Sequence, residues 1–275
     1  MTHKTYSYSW ATLSLVFIAA LATFLVWRWD SEAWLQQRID AQIQQQKLPV
    51  SYASMERQGA SIHFTQVRIH AQGMPPLTFD ALHLQLAWSE LWHGRLGIKV
   101  QASNAFLTCQ STLIQQDDII QLQGLQLHAD VAQAVAWFKP SFSLAQVHGQ
   151  AELHGTAYLN RNTGLPTSPS DITVTWNKAA ITMMQQTQDL GDYTLSSQQD
   201  QQSIHWNIKG GHALSVQGDG LLMLQPKQPQ NSSLTGKLSF KTQAGTLLSQ
   251  LLGATSGKQL NITGTLTHPQ WHSLR

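Results

Sequence analysis

The sequence predicts a mainly β protein, in which an N-terminal transmembrane helix and a short stalk helix precede a twisted antiparallel sheet with two short helices. Apolar and polar residues alternate over many short runs, which is typical of antiparallel strands with one face in water. Glycines interrupt these runs where strands are expected to turn or bend. Charged residues are 12% of the 275 residues, so neutral polar residues supply most of the polar surface.

We expect a long sheet of short strands to coil rather than stay flat. The sheet is therefore predicted to curl into a half-barrel or a two-layer β structure. The predicted organisation has four parts: a cytoplasmic tail (1–9), a transmembrane helix (10–29), a membrane-proximal amphipathic helix (30–50) and a β domain (51–275).

The stretch WATLSLVFIAALATFLVW, from Trp10 to Trp27, contains no charged residue. A helix needs about 20 mostly apolar residues to cross the hydrocarbon core of a bilayer, and Trp side chains prefer the two interfaces. Trp10, Trp27 and Trp29 are therefore the predicted interface anchors. The alternative is a cleaved signal peptide, but cleavage after Ala20-Leu21-Ala22 would leave an apolar N-terminus, so we favour the uncleaved anchor.

Charge does not settle the orientation of this span. Lys4 precedes it and Arg28 follows it, so the basic residues that govern orientation are nearly balanced across the two ends. The short N-terminal tail and the large Gln-rich body favour an N-terminus in the cytoplasm and a body on the other side of the membrane.

Residues 31–46, SEAWLQQRIDAQIQQQ, have the spacing of an amphipathic helix. Ser31 can cap its start, and Pro49 ends it. Its apolar residues recur every three to four positions: Trp34, Leu35, Ile39 and Ile43. This helix is either a stalk that lifts the body off the membrane or a packing face for a helix of another subunit.

From Ser51 onward the period changes from 3.6 to 2. Leu82, Leu84, Leu86 and Trp88 alternate with less apolar residues, and Ile172, Val174, Trp176 and Ile204, Trp206, Ile208 repeat the pattern. The candidate residues for a core or for the lining of a groove are Leu82, Leu84, Leu86, Trp88, Trp176 and Trp206. Around Gly124 the alternation shifts by one residue, which predicts a β-bulge.

Several segments are predicted to interrupt or end strands. VAQAVAWF (131–138) and AGTLLSQLL (244–252) have helical spacing and are predicted to cover an open end or edge of the sheet. Asp117-Asp118 is predicted to be a hairpin turn, and Gly218-Asp219-Gly220 another. Residues 161–170 and 225–233 are predicted loops.

The motifs give no support to catalysis, a cofactor or a metal. The stretch 253–258, GATSGK, has the wrong spacing for a phosphate-binding loop and is read as a turn. The histidines form no metal-binding motif, and most alternate with apolar residues as water-facing strand positions do. Cys109 has no partner for a disulfide and is read as a small strand residue. We therefore expect no enzyme, no catalytic residues, no metal and no cofactor.

Nucleic acid is not an expected partner. The 17 Lys and Arg residues are scattered, and the formal net charge is only +2. Binding to a phosphate backbone requires clustered basic side chains.

The order of landmarks resembles the type II secretion system protein N family. The similarity begins with the stretch 86–96, LAWSELWHGRL, continues with VTWNKA (174–179) and LGDY (190–193), and ends with the apolar run 247–252 and ITGTL (262–266). With the N-terminal anchor it spans nearly the whole chain. Within 86–96, Trp92 replaces the second leucine of the family's pair, and the proline often found before it is absent.

This resemblance implies a non-catalytic inner-membrane subunit of the bacterial machine that exports folded proteins, with its body in the periplasm and other secretion subunits as partners. The anchored, strand-rich plan also resembles, more distantly, the AsmA-like proteins, whose curved sheets form grooves thought to carry lipid. That alternative requires a continuous apolar face, which the candidate Leu and Trp residues can supply either as a groove or as a closed core.

Overall fold

The computed structural model describes residues 32–45, 49–70, 75–138, 145–161, 166–225, 231–252, 258–265 and 268–274. All the strands in these ranges belong to one antiparallel sheet of fifteen strands, which is not closed. The strands are β1 (Val50–Ser51), β2 (Ser54–Gln58), β3 (Ser61–Ile69), β4 (Leu77–Leu86), β5 (Leu96–Ser103), β6 (Leu107–Gln116), β7 (Ile119–Asp130), β8 (Gln146–Asn160), β9 (Pro166–Met183), β10 (Gln186–Asp200), β11 (Ser203–Gly210), β12 (Leu214–Met223), β13 (Ser233–Thr242), β14 (Lys258–Gly264) and β15 (Pro269–Leu274).

From β3 to β15 the spatial order of the strands is the order of the sequence, while β1 and β2 both pair with β3. The predicted mainly β, antiparallel class is confirmed. Short runs of alternating residues joined by short connections favour pairing between neighbours in sequence, because such pairs close small loops.

Four helices accompany the sheet in the described ranges: α1 (Glu32–Gln45), α2 (Trp88–Trp92), α3 (Val131–Phe138) and α4 (Leu247–Leu252). The predicted helices at 31–46 and 131–138 are confirmed within one residue at each end. The predicted helix at 244–252 is confirmed but starts three residues later, after a turn at 244–245.

The helix α2 was not predicted, and the expectation that the strand pattern of Leu82, Leu84 and Leu86 continues to Trp88 is wrong. Strand β4 stops at Leu86, and the Ala87 N–H donates to the Gly97 carbonyl at 2.9 Å. Glu90 then lies directly over Gly97, since a Cβ built on Gly97 would be 2.8 Å from the Glu90 Cβ. The missing side chain at Gly97 makes room for this helical turn.

The predicted bulge at Gly124 is confirmed. Gly124 has φ +60°, and the pairing of β7 with both β6 and β8 shifts register there. Because of the extra residue, the apolar side chains on both sides of the bulge point to the same face of the sheet. These are Ile120 and Leu122 before the bulge and Leu125 and Leu127 after it.

Two turn predictions differ in outcome. Asp117-Asp118 is a turn between β6 and β7, as predicted. The predicted turn at Gly218-Asp219-Gly220 is wrong, because all three residues lie inside β12 and pair with β11 and β13. Neither position has room for a side chain. A Cβ at Gly218 would be 2.3 Å from Leu238 Cδ2, and a Cβ at Gly220 would be 2.4 Å from Trp206 Cζ2.

The predicted loop at 161–170 is shorter than expected, because β9 already begins at Pro166. The predicted turn at 253–258 falls on residues that, up to 257, lie outside the described ranges. The predicted membrane span 10–29, with Trp10, Trp27 and Trp29, lies outside them entirely. Among the helices that the structure does describe, none has the length and apolarity needed to cross a membrane.

The connections between strands alternate between two ends of the sheet. We call "upper" the end that carries the β4–β5, β6–β7, β8–β9, β10–β11, β12–β13 and β14–β15 connections, and "lower" the other end. Helices α3 and α4 connect strands at the lower end, whereas α2 lies at the upper end.

Candidate functional site: the apolar face of the sheet

The strand register places apolar side chains on one face across the whole sheet. Residues directly opposite one another in paired strands point to the same side. One unbroken row of such partners crosses from β2 to β15 and is apolar except for its last member. This apolar row consists of Met55, Phe64, Leu82, Ala102, Cys109, Leu127, Leu153, Val174, Leu195, Ile208, Gly218, Leu238, Leu260 and Ser273.

The adjacent row, on the opposite face, contains only polar residues. This polar row consists of Glu56, His63, His83, Gln101, Gln110, Gln126, His154, Thr173, Ser196, Asn207, Asp219, Lys237, Asn261 and His272. A sheet with one apolar and one polar face requires cover on the apolar side only.

Near its first strands the apolar face is covered by α1. Met55, Phe64, Val67 and Phe79 are buried there, and Leu35 and Ile39 of α1 pack against them. We call this the N-terminal cluster. The Tyr52 hydroxyl donates to Asp40 of α1 at 2.6 Å, which ties the helix to the sheet. Burial and the neighbouring Asp40 carboxylate raise the pKa of Tyr52 to about 12.

A second buried group lies at the lower end of β9 to β13 and receives Leu248 of α4. This C-terminal cluster consists of Ala179, Leu190, Tyr193, Ala213, Val216 and Leu248. The Tyr193 ring stacks on Trp176 with centroids 5.6 Å apart, and its hydroxyl donates to the Leu214 carbonyl at 2.7 Å. Burial, followed by the charge of Asp189, raises the pKa of Tyr193 to about 12.

Between the two clusters the apolar row is only partly buried. Four consecutive members, Leu127, Leu153, Val174 and Leu195, belong to neither cluster and none of them is buried. Leu195 is 38% exposed. We call these four residues, on β7 to β10, the open stretch. Apolar surface left in water between two covered regions is typical of a binding surface.

Trp206 illustrates how the sequence shapes this face. Its ring lies across Gly220 and Gly236, where a Cβ at either position would be 2.4 and 2.3 Å from the Trp206 Cζ2. The two glycines therefore form a shallow trough that admits the indole. The indole Nε1 is buried and has no hydrogen-bond partner in the described part of the chain.

The upper end of the N-terminal region contains an apolar cavity of about 210 Å³. Its lining includes Leu35 of α1, Ile62 of β3, Leu84 and Leu86 of β4, Trp88 of α2 and Ile98 of β5. The cavity thus lies where α1, α2 and the sheet meet.

The six predicted core or groove-lining residues are distributed over the apolar side rather than gathered in one site. Leu84, Leu86 and Trp88 line the upper cavity, and Leu82 packs against the N-terminal cluster. Trp176 packs against the C-terminal cluster. Trp206 lies in the trough that Gly220 and Gly236 form.

Cys109 is a half-buried strand residue of the apolar row, and burial raises the pKa of its thiol. A thiol held protonated in apolar surroundings is a weak nucleophile. Several histidines form contacts between neighbouring strands on the polar face. His63 and His83 stack at 4.0 Å, and His128 and His154 lie 3.8 and 3.6 Å from Glu152.

Within the described ranges no group of three or more His, Cys, Asp or Glu side chains is arranged to hold a metal ion. The side chains of Glu152 and of the two histidines beside it are a third to a half exposed.

Sequence reasoning did not single out the open stretch. Leu127, Leu153, Val174 and Leu195 each carry the alternation signal, but only the register shows that they form consecutive members of one row. Register depends on the bulges at Gly124 and near Lys178 and Gly191, whose effect on pairing cannot be read from one strand alone.

Comparison with protein-family models, with curated proteins and with solved structures found no match to this chain.

Proposed function

We propose that this chain is a non-catalytic inner-membrane subunit of a type II secretion system, which acts through binding surfaces on a periplasmic β domain. The resemblance in LAWSELWHGRL and the segments that follow supports the secretion assignment. The predicted span 10–29 supports the membrane location. The sheet is proposed to curl about its apolar face as a half-barrel.

The observation that carries the binding role is the open, one-sided sheet. A sheet that is not closed has edge strands with unpaired backbone groups, and such edges accept a strand from a partner. Of the described strands, β15 is the last in the order and pairs only with β14. Its exposed residues 269–273, PQWHS, contain no Lys, Arg, Asp or Glu that would discourage pairing, and Pro269, which lacks an N–H donor, stands at the first position of the strand.

Site-specific photo-crosslinking in cells tests this role. A benzoylphenylalanine at Gln270 of β15 is expected to cross-link to another secretion subunit. The matched control places it at Lys209, a polar-face position in the interior of the sheet, where no subunit cross-link is expected. Equal cross-linking at both positions, or normal secretion after deletion of the gene, contradicts the proposal.

The apolar face favours a second candidate function, namely that of an AsmA-like protein that holds or transfers lipid. The open stretch offers four consecutive apolar side chains on adjacent strands, and acyl chains bind such surfaces by removing apolar area from water. Strands lie about 4.8 Å apart, so four strands provide a path of roughly 14 Å across β7 to β10.

Mass spectrometry of the full chain purified in mild detergent distinguishes the two functions. Lipid carriage predicts co-purified phospholipid that is lost in Leu195→Asp and retained in Ser196→Asp, because Ser196 is the neighbouring residue on the polar face. A chain that carries no lipid, but cross-links through β15, supports the secretion subunit alone.

A further inference from the structure

The exposed large apolar side chains are not spread evenly over the molecule. Five of them lie together at the upper end of β4 and β5 and on the first turn of α1: Trp34, Trp88, Leu91, Trp92 and Leu96. Their exposed fractions are 48, 56, 39, 90 and 51%. We call this group the tryptophan corner. Trp88 and the residue after Trp34, Leu35, line the same upper cavity, so α1 and α2 meet at this corner.

The corner is held in shape by internal contacts. Arg95 Nη2 donates to Glu90 Oε2 at 2.6 Å, and the Ala87 N–H bonds to Gly97 at 2.9 Å. The His93 ring lies 2.8 Å from the Ser89 carbonyl. Trp92 is therefore presented to solvent on a short, braced helix rather than on an extended loop. A Trp side chain that is 90% exposed buries little apolar area when the chain folds, so it adds little to the stability of the fold. Such a side chain on a braced turn is expected to contact another molecule.

The position of the corner along the chain indicates what it contacts. The apolar run that ends at Trp27 is joined to Glu32, the first residue of α1, by residues 28–31. At about 3.6 Å per residue, this connection spans at most roughly 18 Å. The first turn of α1, and with it Trp34, must therefore stay close to the end of the predicted membrane segment.

The chemistry of the corner fits a membrane interface. Trp side chains prefer the headgroup level of a bilayer, and arginines beside them can reach lipid phosphates. The Arg38 guanidinium lies 5.9 Å from the Trp34 ring centroid. Helices α3 and α4 lie at the opposite, lower end of the sheet.

We propose that the tryptophan corner is a second membrane contact, in which Trp34, Trp88 and Trp92 enter the interfacial layer of the bilayer that residues 10–29 are predicted to cross. The upper cavity and the adjacent apolar face then open towards the membrane. This inference goes beyond the proposed function and holds whether the apolar face binds a subunit or a lipid.

Depth measurement on the full chain tests the proposal. The Cys109→Ser protein, with Trp92→Cys carrying a nitroxide label, is reconstituted into phosphatidylcholine and phosphatidylglycerol vesicles. Collision rates with oxygen, which enters bilayers, and with a nickel chelate, which does not, are then compared. The matched control is Trp271→Cys, since Trp271 is also an exposed tryptophan, 56% accessible, but lies on β15 at the far edge of the sheet.

We expect the oxygen-to-nickel collision ratio to be severalfold higher at position 92 than at position 271. An aqueous ratio at position 92, equal to that at 271, overturns the proposal. Protection of position 92 from both reagents also overturns it, because that result indicates a protein partner rather than lipid.

A second measurement uses the fluorescence of the tryptophans themselves and needs no attached label. Brominated phospholipids quench tryptophans that lie in the bilayer. We expect Trp92→Phe to reduce the quenchable emission of the full chain, whereas Trp271→Phe leaves the quenchable emission unchanged. Equal effects of the two substitutions contradict the proposal.

Discussion

The apolar face of this sheet has two covered regions and one open region, although the same kind of side chain lines all three. The N-terminal cluster is covered by α1, and the C-terminal cluster receives Leu248 of α4. The residues of the open stretch belong to neither cluster, although α3, which joins β7 to β8, contacts both of those strands. Covered apolar residues stabilise the fold, whereas uncovered ones contribute less to folding and remain available for an occupant.

The strand β10 contains a covered leucine and an uncovered leucine within six residues. Leu190 belongs to the C-terminal cluster and is 5% exposed, whereas Leu195 belongs to the open stretch and is 38% exposed. The difference between these leucines lies in what covers them and not in their chemistry. The predictions that follow test this difference, in decreasing order of effect.

The largest effect is expected at Gly211, where the chain passes close to the C-terminal cluster. Gly211 has φ +78°, and a Cβ there would be 2.1 Å from the Leu214 carbonyl oxygen and 2.5 Å from the Tyr193 hydroxyl. Gly211→Ala should lower the free energy of unfolding by about 3 kcal/mol or more, since backbone strain adds to overpacking. Urea denaturation of the detergent-solubilised chain measures this loss.

Gly245 is the matched control for that experiment. Its φ is +79°, but nothing lies within 4 Å of a Cβ built on it. Gly245→Ala should therefore cost only the backbone strain, about 1–2 kcal/mol. Equal losses for the two variants would show that the C-terminal cluster is not tightly packed.

The next effect compares the two leucines of β10. Leu190→Ala should lower the free energy of unfolding by about 2–4 kcal/mol, because it removes buried methyl groups and leaves a cavity. Leu195→Ala should lower it by less than about 1 kcal/mol in the absence of an occupant, since much of this side chain remains in water. Similar losses would mean that the open stretch is covered in solution.

The smallest effect is a change in alkaline stability. The pKa of Tyr193 is raised from 10.0 to about 12, so the folded protein retains the phenol proton in a range where the unfolded chain loses it. Its contribution is fully present below pH 10 and is lost as the pH rises from about 10 to 12. Thermal melts should therefore show a shallower decline over this range for Tyr193→Phe than for the wild type. Parallel declines would contradict the assignment.

Much of the fold follows from local signals in the sequence. Alternation predicted the antiparallel class, and the shift of apolar positions across Gly124 predicted the bulge. Val131–Phe138 was predicted as a helix from its spacing. Each of these features depends only on residues close together in the chain, so a single sequence is enough to predict it.

The errors arose where a residue's role depends on distant strands. Gly218 and Gly220 have the composition of a turn, but they lie within β12 because Trp206 and Leu238 occupy the space of their missing side chains. The helix α2 depends similarly on Gly97 of the next strand. The open stretch requires the register of four strands, which local patterns do not specify.

The apolar face is proposed to act by receiving an apolar occupant on the open stretch in the cell. A photo-activatable benzoylphenylalanine at Leu195, compared with one at the neighbouring Ser196 on the polar face, tests it most directly. We predict cross-links to lipid or to a partner subunit from position 195 and none from position 196. Absence of any cross-link at 195, or equal cross-linking at both positions, would contradict the claim.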